Sequence, residues 1–333
     1  MPMTSGYGQA RRRPRPPGGA PHAAAEGPAA APLPDPAALV LLAEIAEAGS
    51  LTAAAQRLGV TQPALSKQLK RLEQQLGVPV FKRGLRGVAA TEYGDALLPR
   101  ARAIRAELRQ AAQDVAQRRG RREGRLTVAL SHFAAIALLP AVVQPFRTRW
   151  PGVQLAFMPP SFELSGLREG TPDFAVVSLP AERLGAEFST RTLYAATVAV
   201  VVRPGHPLAQ AKRLSDLVAA EWVMPSLKSS TARGLEKAFR RAKLPAPRCA
   251  VTCETLTGLE MLVAHSDLVG AIPLEVQRPR AAASGLRQLA LQEEIEGPSV
   301  AIVRWADAHP TPAASDLEAA FLQAAQRLAR RRG

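Results

Sequence analysis

The chain has 333 residues, 47% of them hydrophobic, and its 43 lysines and arginines outnumber 28 aspartates and glutamates, giving a formal charge of +15. That length accommodates two or three domains with cores of their own. It contains no apolar run of the roughly 18 residues a membrane span needs, and no apolar stretch follows the N-terminal arginines, so neither a span nor a secretory leader is expected and the cytoplasm is the expected compartment.

The positive excess is uneven. Residues 1–125 hold 20 basic and 10 acidic side chains, whereas residues 126–333 hold 23 and 18. Charge concentrated in the N-terminal third, the part that would touch phosphates, favours nucleic acid as a partner.

Residues 1–34 are rich in Ala, Pro and Gly, with Arg11, Arg12, Arg13 and Arg15 clustered. With almost no large apolar side chains they cannot offset ordering entropy, and a disordered basic extension is expected.

Order is expected from Asp35. It can N-cap a first helix with Pro36 at the first position, where a missing N–H costs nothing. Leu39, Leu42 and Ile45 form the apolar stripe, and Gly49 ends it. Ser50 caps a second helix, LTAAAQRL, and Gly59 permits a tight turn. Thr61 opens a third helix on which Leu65, Leu69, Leu72 and Leu76 share one face. The opposite face carries Lys67, Lys70, Arg71 and Gln74. Residues 78–90 then read as a hairpin with Lys82, Arg83 and Arg86 near its tip. Three helices and a hairpin over 35–94 make a winged helix-turn-helix.

The run EAGSLTAAAQRLGVTQPALSKQLKRLEQQLGVPVFKR, followed by Thr91 and Gly94, resembles without gaps the N-terminal domain of LysR-type transcriptional regulators. The resemblance implies a recognition helix whose Gln62, Pro63, Ser66 and Lys67 approach base edges in the major groove. Ser50, Thr52 and Arg71 would hold phosphates, and Arg83 and Arg86 would reach the backbone or minor groove.

Thr91 caps a long helix expected to end near Arg118, giving a linker over 92–120. Leu97, Ala101, Ile104, Leu108, Ala111 and Val115 recur in alternating steps of four and three, the spacing of a helix–helix seam. Pro99 should bend it. With no intrachain partner evident for this helix, the seam points to a homodimer. The stretch Arg118–Arg125, punctuated by Gly120 and Gly124, reads as a hinge.

From residue 126 strand-like runs alternate with helical ones. The strands are expected at 126–130, 153–157, 173–179, 196–202, 221–224, 248–253, 267–272, 285–291 and 299–305, and the helices near 135–149, 161–169, 230–243, 255–265 and 313–330. Such alternation implies α/β architecture with parallel sheets covered on both faces.

This half also resembles the LysR family, at Leu139-Pro140, Trp150-Pro151, Gly170 with Asp173, His206-Pro207-Leu208 and Ala271-Ile272-Pro273. The implied effector domain spans 126–330 as two Rossmann-like subdomains resembling a type 2 periplasmic binding protein. One comprises about 126–196 with 298–330 and the other about 197–297. A ligand would lie at strand carboxyl ends, where helix N-termini favour anions. Hydroxyls at such junctions are Ser131 beside His132, Ser161, Ser226, Thr231 and Thr255, a constellation suited to a small organic acid.

His22, His132, His206, His265 and His309 show no metal-ligand spacing, and nucleotide-binding and hydrolase signatures are absent from the sequence. No cofactor or metal is expected, and no enzymatic activity. Cys249 and Cys253, four apart on one predicted strand, should share a face about 13 Å apart, beyond disulfide reach, as small core residues.

The reading is a sequence-specific, effector-controlled transcriptional regulator. It would act as a homodimer, and on the resemblance a tetramer, with RNA polymerase a candidate further partner. The alternatives are a regulator of this type that is constitutive or redox-responsive, and a small-molecule binding protein with incidental DNA affinity.

Overall fold

A computed structural model of the chain describes residues 33–84, 87–161, 164–178, 184–227 and 229–330. The expectation of disorder over 1–34 therefore falls, apart from Leu33 and Pro34, outside the described residues.

The N-terminal unit opens with α1 (Pro36–Ala48), α2 (Leu51–Leu58) and α3 (Gln62–Leu76). Each begins at the polar residue the sequence offers. Asp35, Ser50 and Thr61 accept hydrogen bonds from the backbone N–H of Ala37, Ala53 and Ala64. Gly49, Gly59 and Gly77 end the helices in the left-handed conformation. A hairpin follows, β1 (Phe81–Gly84) paired antiparallel with β2 (Gly87–Ala90).

Next comes α4 (Glu92–Arg118), capped by Thr91, whose hydroxyl accepts from Gly94 N–H and donates to the Pro79 carbonyl. Leu98 and Ala101 of α4 complete one core with Leu42, Ile45, Leu65, Leu69 and Leu72.

The C-terminal unit contains β3 (Glu123–Leu130), α5 (His132–Arg149), β4 (Gly152–Met158), α6 (Ser165–Arg168), β5 (Phe174–Ser178) and β6 (Phe188–Val202). Then come a 3-10 turn at Leu214–Leu217, β7 (Glu221–Met224), α7 (Ser230–Arg241), β8 (Arg248–Thr252), α8 (Leu256–Ala264), β9 (Val269–Pro273) and α9 (Leu274–Ser284). Last are β10 (Arg287–Gln288), β11 (Glu296–Trp305) and α10 (Pro312–Arg330).

Among the described residues the strands run β4-β3-β5-β11-β6-β9-β7-β8, with β10 on β6. The sheet is two sheets joined through one strand. As far as Thr197, β6 pairs with β11; from Val198 it pairs with β9. The chain crosses between lobes here and again at Glu296, opposite Thr197.

The sheets are therefore mixed, not purely parallel as the alternation implied. β3 is parallel to β4 and β5, and β7 to β8 and β9, while the crossing strands β6 and β11 lie antiparallel to their neighbours. One strand, β6, leaves the first lobe and another, β11, returns to it, so the two run in opposite directions.

Each lobe has its own core. Phe174 meets Phe321 edge-on in the first and Trp222 meets Phe239 in the second, with centroids 6.2 and 6.0 Å apart. Each fully buried ring contributes on the order of 2–3 kcal/mol by area removed from water.

Several expectations need correction. The strand over 285–291 shrinks to Arg287–Gln288, and the helix near 161–169 to Ser165–Arg168, with 162–163 undescribed. Helix α9 was unforeseen because Pro273 and Pro279 bracket its first half; Pro273 sits at the N-cap, leaving the helix to start behind it. The proposed hinge shortens, since β3 starts at Glu123.

The cysteines do not share a face. β8 carries one extra residue opposite Trp222 and Val223, which reverses its alternation. Cys249 thus packs with the core of Trp222, and Cys253 with that of Leu256 and Leu259.

The largest correction concerns α4, which does have intrachain partners. Its first half packs on α1, where Arg105 pairs with Glu44 and Glu47. Its hydrogen bond holds the Glu47 carboxyl below its usual pKa, against an opposing push from burial.

Further along, α4 docks on the first lobe of the C-terminal unit of its own chain. Arg102 meets Glu169 at 3.2 Å, and Gln110 donates to Asp173 Oδ1 at 3.1 Å. Gln117 donates to the Glu123 carbonyl and accepts from Ala313 N–H. Gly170 has φ +70°, and a Cβ there would lie 2.2 Å from that of Ala106, so only glycine lets helix and lobe close. Leu108 and Val115, on the same heptad stripe, remain 55% and 58% exposed.

Candidate nucleic-acid interface and effector cleft

On α3, Gln62, Pro63, Lys67, Lys70 and Arg71 are exposed and Ser66 is half-buried. The buried Leu65, Leu69 and Leu72 fix the helix by its opposite face, so the polar row is presented rigidly. Ser50 has committed one lone pair to capping α2, but its O–H is still a donor for a phosphate, beside the exposed Thr52. Both stand at the N-terminus of α2, where backbone N–H groups favour anions.

The wing is held to this unit by backbone bonds. Val88 N–H donates to the Gly49 carbonyl at 3.0 Å, and a Cβ on Gly87 would lie 2.3 Å from that oxygen. Glu73, on α3, accepts from Val80 and Phe81 N–H at 2.9 and 3.4 Å, so the hairpin moves with the recognition helix. Arg83 belongs to β1; Arg86 lies outside the described residues.

In the C-terminal unit, three of the four proposed strand-to-helix junctions exist. β3 leads through Ser131 into α5, β7 through 225–229 into α7, and β8 through 253–255 into α8. The fourth does not, because Ser161 follows β4 without starting a helix and α6 is preceded by Leu164 at φ 53°.

The hydroxyls differ in their engagement. Thr255 caps α8 through Gly258 N–H, and Ser229, not Ser226, caps α7 through Ala232 N–H. Thr231 is buried at 2% exposure within the first turn of α7, Ser226 is half-buried, and His132 and Ser161 are exposed.

Ser131 stands apart. It occupies the N-cap of the 18-residue α5, yet its hydroxyl makes no capping bond and is buried without a partner among the described residues. A buried hydroxyl left unpaired costs about 1–3 kcal/mol, a cost a bound ligand would remove.

Of the other buried polar atoms without a partner among the described residues, those of two side chains bear on the same region. Ser178 ends β5, which pairs with β3, the strand that leads into Ser131. Gln277, 1% exposed, lies on α9, which packs against α5 from the second lobe. The strand-end rule would have found Ser178; Gln277 was hidden with its helix.

A winged helix-turn-helix, carried on a long helix by a two-lobed α/β unit crossed twice by the chain, is the architecture of a DNA-binding regulator with a receptor domain. Comparison with known proteins gives the family. The model described as "Bacterial regulatory helix-turn-helix protein, lysR family" matches residues 36–95, and "LysR substrate binding domain" matches residues 119–326. The chain belongs to the LysR family of transcriptional regulators.

It is 27% identical over 289 residues to the transcriptional regulator GalR of Pseudomonas putida, covering 86% of this chain and 72% of that one. It is 29% identical to GbpR of Azospirillum brasilense over 69% of each chain. In fold it is similar to ArgP from Mycobacterium tuberculosis, with a TM-score of 0.64 at 20% identity over 88% of this chain and 98% of that one. It is likewise similar to CbnR in complex with its target DNA, with a TM-score of 0.60 at 23% identity over 88% and 99%. No single helix among the described residues is long and apolar enough to cross a membrane.

Proposed function

We propose that this regulator reads a two-fold operator as a homodimer, assembled further into a tetramer, and that a small organic anion bound between the lobes sets its DNA affinity. The observation that carries the effector reading is Ser131, a buried, unpaired hydroxyl at the positive end of α5 where two parallel strands terminate. Ser178 and Gln277 add unpaired polar atoms on β5 and on the facing lobe. Ser226, Thr231 and Thr255 contribute from α7 and α8, with His132 and Ser161 at the rim. The two crossings at Thr197 and Glu296 divide the lobes and form the axis about which they close.

At the other end Gln62, Pro63, Ser66 and Lys67 approach base edges, while Ser50, Thr52 and Arg71 take phosphates and Arg83 and Arg86 reach the backbone or minor groove. Binding shifts DNA affinity only if the ligand prefers one arrangement of the lobes, because equal affinity for both shifts nothing.

The deciding experiment is a footprint on the DNA immediately upstream of the protein's own gene, with random DNA as competitor. A protected dyad supports the reading; equal competition by random DNA refutes it. Within that assay, Gln62→Ala is expected to cost about 1–3 kcal/mol on the operator and much less on random DNA. Equal loss on both would remove Gln62 from base recognition.

A further inference from the structure

We propose that Gln277 selects the effector, and that the organic anion this regulator senses carries a hydroxyl group that pairs with the Gln277 amide. The proposal rests on the effector reading above and names the chemistry the second lobe demands of the same ligand.

Its place in the fold comes first. Strand β9 ends at Pro273, whose register partner is Val198, the first residue of β6 beyond the crossing at Thr197. Helix α9 therefore starts at the seam between the lobes. Its first turn is enclosed, because Glu275, Val276 and Gln277 are consecutive buried positions, which on a helix cover about 200° of arc. Val276 belongs to a core cluster of the second lobe, and Phe133 and Ile136 from the start of α5 pack on that cluster. The starts of two helices, one from each lobe, thus meet across the cleft.

Neither helix start is capped by a side chain. Ser131 leaves its hydroxyl unused at the head of α5, and Pro273 holds the N-cap of α9 with no side-chain acceptor to offer. Helix N-termini left open in this way favour an anion.

Gln277 adds the specific demand. It is 1% exposed, and neither Oε1 nor Nε2 has a hydrogen-bond partner among the described residues. Its helix is held firmly, since Arg280 donates to both oxygens of Glu260 on α8 at 2.9 and 2.6 Å. A buried primary amide needs an acceptor for its N–H and a donor for its oxygen. A carboxylate has acceptors only and leaves Oε1 unpaired. An ammonium group has donors only and leaves Nε2 unpaired. A hydroxyl is both at once. With the carboxylate of the ligand towards Ser131 and its hydroxyl towards α9, the lobes close without a stranded polar group. An acid lacking the hydroxyl is rejected by the amide it leaves buried and unpaired.

The test uses the full chain and pairs of acids that differ only in hydroxylation: lactate against propanoate, 4-hydroxybenzoate against benzoate, and gluconate against hexanoate. Melting temperatures are followed against acid concentration for the wild type and for Gln277→Met, which keeps the length of the side chain and removes the amide. Without ligand the variant is expected to melt about 2–4 °C higher, the shift that relief of one unpaired buried group gives in a unit of about 200 residues. With ligand, the hydroxylated member of at least one pair is expected to bind the wild type about 10-fold more tightly than its partner, and the variant to bind both alike.

A variant that melts lower than the wild type without ligand overturns the proposal, because the amide then has a structural partner. A hydroxyl preference that the variant retains overturns it too. If both members of every pair stabilise the wild type equally, the role of Gln277 falls and the organic-anion reading stands. If no acid of either kind stabilises the wild type, that reading falls and the role of Gln277 with it.

Discussion

Aspartate at both Leu108 and Val115 is expected to leave the protein monomeric at micromolar concentration and to remove tight operator binding. The stripe Leu97, Ala101, Ile104, Leu108, Ala111, Val115 is one seam on α4, and the structure divides it. Leu97, Ala101 and Ile104 pack on the core built by α1, so they are occupied within the chain. Leu108, Ala111 and Val115 continue the same spacing into solvent.

A second α4 would cover them, each large side chain gaining about 1.5–3 kcal/mol on burial. Two buried carboxylates without partners reverse that sign. Loss of the dimer removes the linkage between two half-site contacts, worth on the order of 10²–10⁴ in affinity. Sedimentation equilibrium and a gel shift read the two effects separately. A variant that remains dimeric would place the subunit contact elsewhere.

That seam also shows what the sequence could and could not disclose. Its period was readable because helical spacing is local. Its partners were not, because Gln110 and Asp173 are 63 positions apart and nothing in either neighbourhood announces the other. The winged domain was legible almost throughout for the same reason: Asp35, Ser50, Thr61 and Thr91 each cap the helix that immediately follows.

The second lobe was less so. One extra residue in β8 turned Cys249 and Cys253 to opposite cores, and a bulge of that kind depends on the neighbouring strand. Among the proposed effector residues, Ser131 was legible only as one of several hydroxyls at strand ends, and its unpaired hydroxyl could be recognised only once α5 was seen to start without using it. Three other hydroxyls had the bland role that Ser and Thr ordinarily have at a helix start: Ser50, Ser229 and Thr255 are all engaged as caps.

Asp173→Ala is expected to destabilise the C-terminal unit by about 1–3 kcal/mol, whereas Asp173→Asn should be nearly neutral at pH 7. Asp173 Oδ2 accepts from Thr127 N–H at 2.7 Å in the middle of β3, and Oδ1 accepts from Gln110 on α4. Alanine leaves the Thr127 N–H buried and unpaired and releases the linker helix. Asparagine keeps one acceptor for Thr127 and presents an amide that Gln110 can meet by turning its own amide over.

The pH dependence separates charge from hydrogen bonding. Burial pushes the Asp173 carboxyl above its ordinary 3.8, more than the Thr127 N–H, Arg109 and Gln110 pull it down. The folded protein therefore binds this proton more tightly than the unfolded chain does. Stability rises as pH falls through the raised value, and the gain is complete below 3.8. Glu318, also raised by burial, acts in the same direction.

Thermal melts taken from pH 7 down towards 4 should therefore show a stabilising contribution from Asp173 that the asparagine variant lacks, while the share of Glu318 and the opposite share of Glu47 remain in both proteins. An asparagine variant whose melting temperature follows pH as the wild type's does would mean that Asp173 is charged in the folded state without penalty. The contact between α4 and the effector lobe would then be an ordinary ion pair with Arg109, 3.8 Å away, and not a desolvated hydrogen-bonded one.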